Sequence, residues 1–207
     1  MDQQLKKLKK KTEFIPKSTI HQAYAIQSPV YVFDISDEVD CQSIANFCNA
    51  TKDIASINRE QSLDNIVKAW SSTYTDRKNS DKIFLPLFDI VEEKVEKINK
   101  QYTFFVDHSW FVVYETNESA IPHRHSPADY AAVFYPCVPE NSSPICFTNG
   151  KDNTIIESIP VKTGHLVVFR GEVEHLVPKS NHNGKRIAIS MNLLKKNIKD
   201  EFLLNGI

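Results

Sequence analysis

The chain has 207 residues, 41% of them hydrophobic and 25% charged, which is the profile of an ordinary globular protein long enough for one sizeable core. Its 25 Lys and Arg against 26 Asp and Glu leave a formal net charge of −1, which excludes the basic footprint of a nucleic-acid or anionic-membrane binder. No apolar run reaches the length of a membrane span, and Cys41, Cys48, Cys137 and Cys146 lack CxxC or zinc-ribbon spacing, so they read as reduced thiols of a cytoplasmic protein.

Residues 1–12 form a Lys-rich lead of low complexity and read as a disordered basic segment. They run into Thr-Glu-Phe-Ile-Pro and not into the apolar stretch of a secretory signal. Residues 13–207 read as a single domain, with a brace over about 13–101 and a β-rich core over about 102–195. In the brace, 28–35 is β-branched and aromatic behind an entry proline, and predicts a strand. Asp37 stands as N-cap to a helix over 38–50, where Val39, Ile44, Ala45 and Cys48 keep helical spacing. Leu63, Ile66, Val67 and Trp70 suggest a further helical turn. Over 81–100, Phe84, Leu87, Phe88, Val91, Val95 and Ile98 recur at helical intervals, and Pro86 places the helix proper from near Leu85.

From Tyr102 the texture changes to short runs of β-branched and aromatic residues, at 104–106, 109–114, 130–135, 145–147, 154–159, 165–169 and 186–192. Turn signals separate them: Asn117, 139–143, Asn149-Gly150, 162–164 and 182–184. Short strands at this spacing, after helices, predict a mainly-β fold with flanking α-helices, a sandwich or jelly roll braced by an N-terminal helical layer.

Only five of the basic residues are arginine, while six of the seven histidines lie between His108 and His182. Pro122-His123-Arg124-His125 places two imidazoles two residues apart, and on a strand such residues share a face and can reach one cation. His175 follows the strand at 165–169, and Arg186 opens the run to Asn192. An arginine facing a pocket beside a metal is a bidentate carboxylate binder. Each piece alone has an ordinary reading as core or surface; together they point to a site for a metal and a carboxylate. His21 and His182 lie in polar surroundings and read as exposed, His108 reads as a turn residue, and His165 as the structural opening of a strand.

Pro122-His-Arg-His125, 164–169, His175-Leu-Val-Pro178 and 186–192 together resemble the Fe(II)- and 2-oxoglutarate-dependent oxygenases, within them the bacterial and phage-type group that includes prolyl-hydroxylase-like proteins. The resemblance spans roughly residues 109–193. It implies a double-stranded β-helix core, Fe(II) as the metal, 2-oxoglutarate and O2 as cosubstrates, and hydroxylation of a prime substrate with release of succinate and CO2. The substrate itself is not identified; a peptidyl residue is what the fold suggests. Carried over by residue, His123 matches the first metal ligand and His175 the distal one. Arg186 matches the residue that pairs with the far carboxylate of 2-oxoglutarate, and Tyr135 the tyrosine that assists there. Ser190 and Asn192 alternate with Arg186 on one strand face, either as cosubstrate-pocket residues or as ordinary strand polarity. Tyr114 is a further candidate, Phe134, Phe147, Val167 and Phe169 a candidate dry wall, and Glu172 and Glu174 are loop acids near His175.

Two positions depart from the family pattern. Where relatives carry Asp or Glu, this chain has His125, and a neutral imidazole there leaves the metal site one charge more positive. Asp129 is the alternative carboxylate ligand. Ala188 stands where the pattern Arg-x-Ser has serine, leaving Ser190 or Tyr135 to replace that hydroxyl. A three-histidine set also resembles cupin-like dioxygenases that do not use 2-oxoglutarate, and a jelly roll of this size can be a non-catalytic binding or structural module. Both remain alternatives on the sequence.

Overall fold

A computed structural model describes residues 19–25, 28–55 and 66–196. The expected disordered lead, Leu63 of the expected helical turn and the side chain of His21 lie outside that description. The strands are β1 (Thr19–Ala25), β2 (Ser28–Asp34), β3 (Val67–Lys68), β4 (Trp70–Ser71), β5 (Thr75–Asp76), β6 (Phe104–Tyr114) and β7 (Ser119–His123). They continue with β8 (Tyr130–Cys137), β9 (Ile145–Thr148), β10 (Ile155–Ile159), β11 (His165–Arg170), β12 (His175–Val177) and β13 (Arg186–Lys195). An eight-stranded sheet has the order β1-β2-β11-β8-β13-β6-β4, with β5 also on β6, and a five-stranded sheet the order β10-β9-β12-β7-β3. Successive strands from β7 to β9 and from β11 to β13 cross from one sheet to the other, which is the jelly-roll connection expected from the strand spacing.

Two helices, α1 (Cys41–Ala55) and α2 (Leu85–Ile98), cover the outer face of the larger sheet. Side-chain alternation therefore divides the apolar residues into two cores. On β13, Ile187, Ile189, Met191 and Leu193 face the helices, while Arg186, Ala188, Ser190 and Asn192 face the cavity between the sheets. On β8, Ala132 and Phe134 face the helices and Val133 and Tyr135 the cavity. Phe134 is thus no part of the wall expected of it, because Tyr135 takes the inner face.

Several boundaries shift for identifiable reasons. Helix α1 starts at Cys41, where the Asp40 carboxylate accepts the Ser43 N–H at 3.0 Å as an N-cap. Glu38, expected inside the helix, instead holds the buried Lys94 ammonium of α2 at 2.7 Å. Helix α2 begins at Leu85 with Pro86 in its first turn, as expected. Val67 and Trp70, expected with Leu63 and Ile66 on a helical turn, lie instead on two short strands: Val67 pairs with Ala120 of one sheet and Trp70 with Val113 of the other. Pairing at two sheet edges outweighs the weak helical spacing.

β6 is continuous, and His108 lies within it and not in a turn. Asn192 pairs with His108 but Leu193 with Val106, so Asp107 is an extra residue, a bulge. The bulge reverses the side-chain parity. Phe104, Val106, Phe111 and Val113 all reach the helix-side core, while Trp110, Val112 and Tyr114 turn to the cavity. His182 is buried, at 3% exposure, where its loop is tied to the one between β6 and β7: the Thr116 hydroxyl donates to the His182 carbonyl and the Asn117 N–H to that of Ser180. No helix among the described residues is long and apolar enough to cross a membrane.

Candidate metal centre

Strands β7 and β12 are antiparallel neighbours in which His123 and His175 stand directly opposite, so their imidazoles share a face with ring centroids 4.2 Å apart. His125 lies past the end of β7, not on the strand. Its N–H donates to the Gly171 carbonyl at 2.8 Å and its own carbonyl accepts the Ala128 N–H at 2.9 Å, which brings its ring to 5.0 Å from that of His175. Gly171 is required there: a Cβ on it would sit 2.1 Å from the Ala128 carbonyl oxygen.

Each imidazole is held by its Nδ1. His123 donates to the Ile121 carbonyl at 2.8 Å, His175 to that of Val173 at 3.2 Å, and His125 to Asn192 Oδ1 at 2.7 Å. A carbonyl oxygen only accepts, so all three carry the proton on Nδ1 and leave Nε2 a bare lone pair. One ligand atom from each lies within 4.8 Å of the others, and Nε2 of His125 and His175 are 3.2 Å apart. Two lone pairs at that distance repel each other unless a cation lies between them. Imidazoles bound at right angles to one metal at about 2.1 Å stand about 3.0 Å apart, so the spacing fits. Burial, reinforced by the neighbouring His123, holds His125 down to about 4. Burial likewise keeps His175 well below its ordinary value, and lowers His123 against the opposing pull of its Ile121 hydrogen bond and of Glu174. The set is therefore neutral and ready to ligate. Phe169 packs edge-on at 4.7 Å from His175, with Phe147 5.1 Å behind it, and Trp110 stacks on His125 at 5.4 Å.

Asp129 does not join this group. Its carboxylate accepts the Lys195 N–H at 3.0 Å and faces the Lys195 ammonium at 3.5 Å, because the turn after His125 directs it to the end of β13. Glu174 is occupied by the Thr148 hydroxyl at 2.5 Å and by Arg124 at 3.5 Å, and Glu172 pairs with Arg170 at 3.5 Å.

The same cavity, about 370 Å³, is lined by the three histidines and by Arg186, Tyr114 and Tyr135. Arg186 is 1% exposed, and its three guanidinium nitrogens have no hydrogen-bond partner among the described residues. The guanidinium lies 5.0 Å from the ring centroid of each tyrosine. Burial raises both phenols, Tyr135 to about 12, against the pull of Arg186, so both stay protonated and can donate. A buried cation with no acidic partner among the described residues, flanked by two protonated phenols, can receive an anion. Ser190 and Asn192 line the cavity as well, but the Asn192 amide is already engaged by His125 and by Tyr74. Trp110, Tyr74 and Gly171 were not anticipated. Trp110 was legible in principle by extending the alternation of Val112 and Tyr114, whereas Tyr74 stands in a stretch with no periodicity.

No protein-family model and no curated protein matches the sequence. Solved structures do match. A viral collagen prolyl hydroxylase from Paramecium bursaria Chlorella virus-1, in complex with 2-oxoglutarate, has TM-score 0.60 at 11% identity, covering 79% of this chain and 94% of its own. A Trichoplax adhaerens prolyl hydroxylase, in complex with a peptide fragment of the hypoxia-inducible factor oxygen degradation domain, has TM-score 0.59 at 12% identity over 100% and 98% of the two chains. A Pseudomonas putida prolyl-4-hydroxylase has TM-score 0.55 at 13% identity over 81% and 93%. The fold is that of the 2-oxoglutarate-dependent iron oxygenases. At such identities the likeness is one of architecture, and the case for a site rests on the residues of this chain.

Proposed function

We propose that the protein is a non-haem Fe(II)- and 2-oxoglutarate-dependent dioxygenase that hydroxylates a substrate of peptidyl class. The observation that carries this reading is one cavity holding three neutral imidazoles with bare Nε2 atoms and one buried arginine with no acidic partner among the described residues. The first feature fits a divalent cation and the second a carboxylate, so the residues suit both groups. The peptide held by the Trichoplax neighbour supports the substrate class.

His123, His125 and His175 hold the metal through Nε2. Arg186 receives the far carboxylate of 2-oxoglutarate, and Tyr114 and Tyr135 donate to the same group. Tyr114 thereby stands in for the serine hydroxyl that Ala188 lacks, with Ser190 on the same strand face. Phe147 and Phe169 keep water from behind the imidazoles, and Tyr74 and Arg124, both partly exposed, border the cavity where a substrate would approach. With both groups bound, the site supplies oxidative decarboxylation of 2-oxoglutarate to succinate and CO2, coupled to hydroxylation of a substrate C–H bond.

The test is an anaerobic Fe(II) titration in the presence of 2-oxoglutarate, watching the visible charge-transfer band of the chelate. The wild type shows the band and His175→Ala loses it. If Arg186→Ala binds 2-oxoglutarate as well as the wild type does, the carboxylate assignment is wrong. Iron-dependent turnover without succinate would select the cupin-like alternative, and no iron-dependent chemistry at all the non-catalytic one.

A further inference from the structure

Two of the three imidazoles are anchored by backbone carbonyls two residues upstream, at Ile121 and Val173, so their orientation is part of the local chain path. His125, which stands where a carboxylate is expected, is anchored by a side chain from another strand, Asn192 Oδ1 at 2.7 Å. The far end of the same amide is engaged as well: Asn192 Nδ2 donates to the Tyr74 hydroxyl at 2.9 Å. Tyr74 is held in turn by stacking on His108 at 4.3 Å and 13°. Trp110, 5.1 Å from Tyr74, lies parallel to the His125 ring at 5.4 Å and 19°.

We infer that Asn192 is a positioning residue that selects the metal-binding tautomer of His125, and that Tyr74 holds the amide against His125 by accepting from its far end. The inference rests on the three imidazoles being metal ligands. Without an acceptor at Nδ1, His125 can move its proton to Nε2 and donate it to His175 Nε2, only 3.2 Å away. That histidine–histidine bond closes the site, because both nitrogens are then occupied. Asn192 prevents it by keeping the proton on the far side of the ring. A carboxylate at the same position does more: it makes the imidazole a stronger donor and restores the negative charge that a third histidine withholds.

Co(II) is the probe, titrated by its visible d–d absorption, with proton NMR of the Co(II) protein to count the hyperfine-shifted exchangeable Nδ1 protons. The wild type is expected to show three such protons. Asn192→Leu is expected to bind Co(II) about 10–100-fold more weakly and to lose the His125 signal to solvent exchange, because no acceptor then holds that proton. Asn192→Asp is expected to bind more tightly than the wild type, and Tyr74→Phe to fall between the wild type and Asn192→Leu. Opposite shifts from two substitutions of similar size separate tautomer control from packing. Weakening by both Asn192 variants alike, or three protons retained in Asn192→Leu, overturns the inference. Should Asn192→Leu not fold, Asn192→Asp and Tyr74→Phe decide it. A wild type that binds no Co(II) overturns the metal-site reading and this inference together, while wild-type binding with no response to residue 192 or 74 overturns this inference alone.

Discussion

Replacing Arg186 by methionine should stabilise the ligand-free protein while abolishing its carboxylate site. The guanidinium is 1% exposed and its three nitrogens lack partners among the described residues. A buried polar group left unsatisfied costs about 1–3 kcal/mol, so three nitrogens carry a cost of several kcal/mol. The tyrosine faces at 5.0 Å on either side return part of it, about 2 kcal/mol each for a desolvated cation–π contact. The balance still leans against arginine by about 1–3 kcal/mol, and a methionine of similar length keeps the packing. For a chain of this size, that corresponds to a rise in Tm of about 2–10 °C. Binding is affected in the opposite direction. Charge-assisted hydrogen bonds are worth about 1.5–3 kcal/mol each, so losing a bidentate pair should weaken 2-oxoglutarate by about 100-fold or more. Differential scanning fluorimetry with and without 2-oxoglutarate reads both quantities. The wild type should melt lower when empty and rise with ligand; Arg186→Met should melt higher and not respond. A lower Tm together with an intact response to 2-oxoglutarate would refute the reasoning, since Arg186 would then be a structural cation with partners of its own.

Gly171→Ala places a methyl 2.1 Å from the Ala128 carbonyl oxygen, so it should cost about 1–3 kcal/mol in urea unfolding. It should also weaken Co(II) binding, because the same turn holds His125. Glu38→Ala leaves the Lys94 ammonium, 4% exposed, without its two carboxylate contacts. The loss should be about 2–3 kcal/mol, below the usual about 3–5 for a broken buried pair because Glu38 is itself partly exposed, while Lys94→Met should cost less. The Cys48 thiol is pushed up by burial from 9.0 to about 12. It should stay unlabelled by iodoacetamide at pH 8 while the denatured chain reacts. Since the unfolded thiol ionises first, the contribution of Cys48 to stability is complete below pH 9.0 and is lost as pH rises towards 12, which an alkaline series of urea midpoints would show as a decline and not a plateau. Co(II) and 2-oxoglutarate should each tighten the other by the same factor, and equal affinities with and without the partner would contradict a shared site.

The inner face of β13 was fully legible in the sequence: alternation alone puts Arg186, Ala188, Ser190 and Asn192 on one side, and they line the cavity. The histidine pair was legible as a pair but not in its mechanism. His123 ends a five-residue strand containing proline, His175 opens one of three residues, and neither segment has the length or apolar run that marks a strand. Their face-to-face pairing is a product of sheet assembly, and His125 reaches them from a turn. The bulge at Asp107 was hidden for the same kind of reason, since an inserted residue leaves no mark on composition. Least legible was what stands behind His125. Asn192 and Tyr74 are separated by 118 residues, and no local pattern can report such a contact.

That contact matters to the charge at the centre. Asp129 is drawn to Lys195 and Glu174 to Thr148 and Arg124, and no carboxylate among the described residues joins the imidazole cluster. The cavity thus offers a divalent cation three neutral donors and, from Arg186, a further positive charge. A protein built this way would hold a metal weakly by electrostatics alone and depend on geometry to compensate: three imidazoles with tautomers fixed from outside, packed against Phe169 and Trp110. On the proposed function the negative charge arrives with the ligand, since a dicarboxylate would deliver one group to Arg186 and leave the other for the metal. On the proposed function, the substitution of histidine for a carboxylate shifts charge balance from the chain to the cosubstrate, and it makes the neutral acceptor at Asn192, with the tyrosine that holds it, the part of the protein on which the third ligand depends.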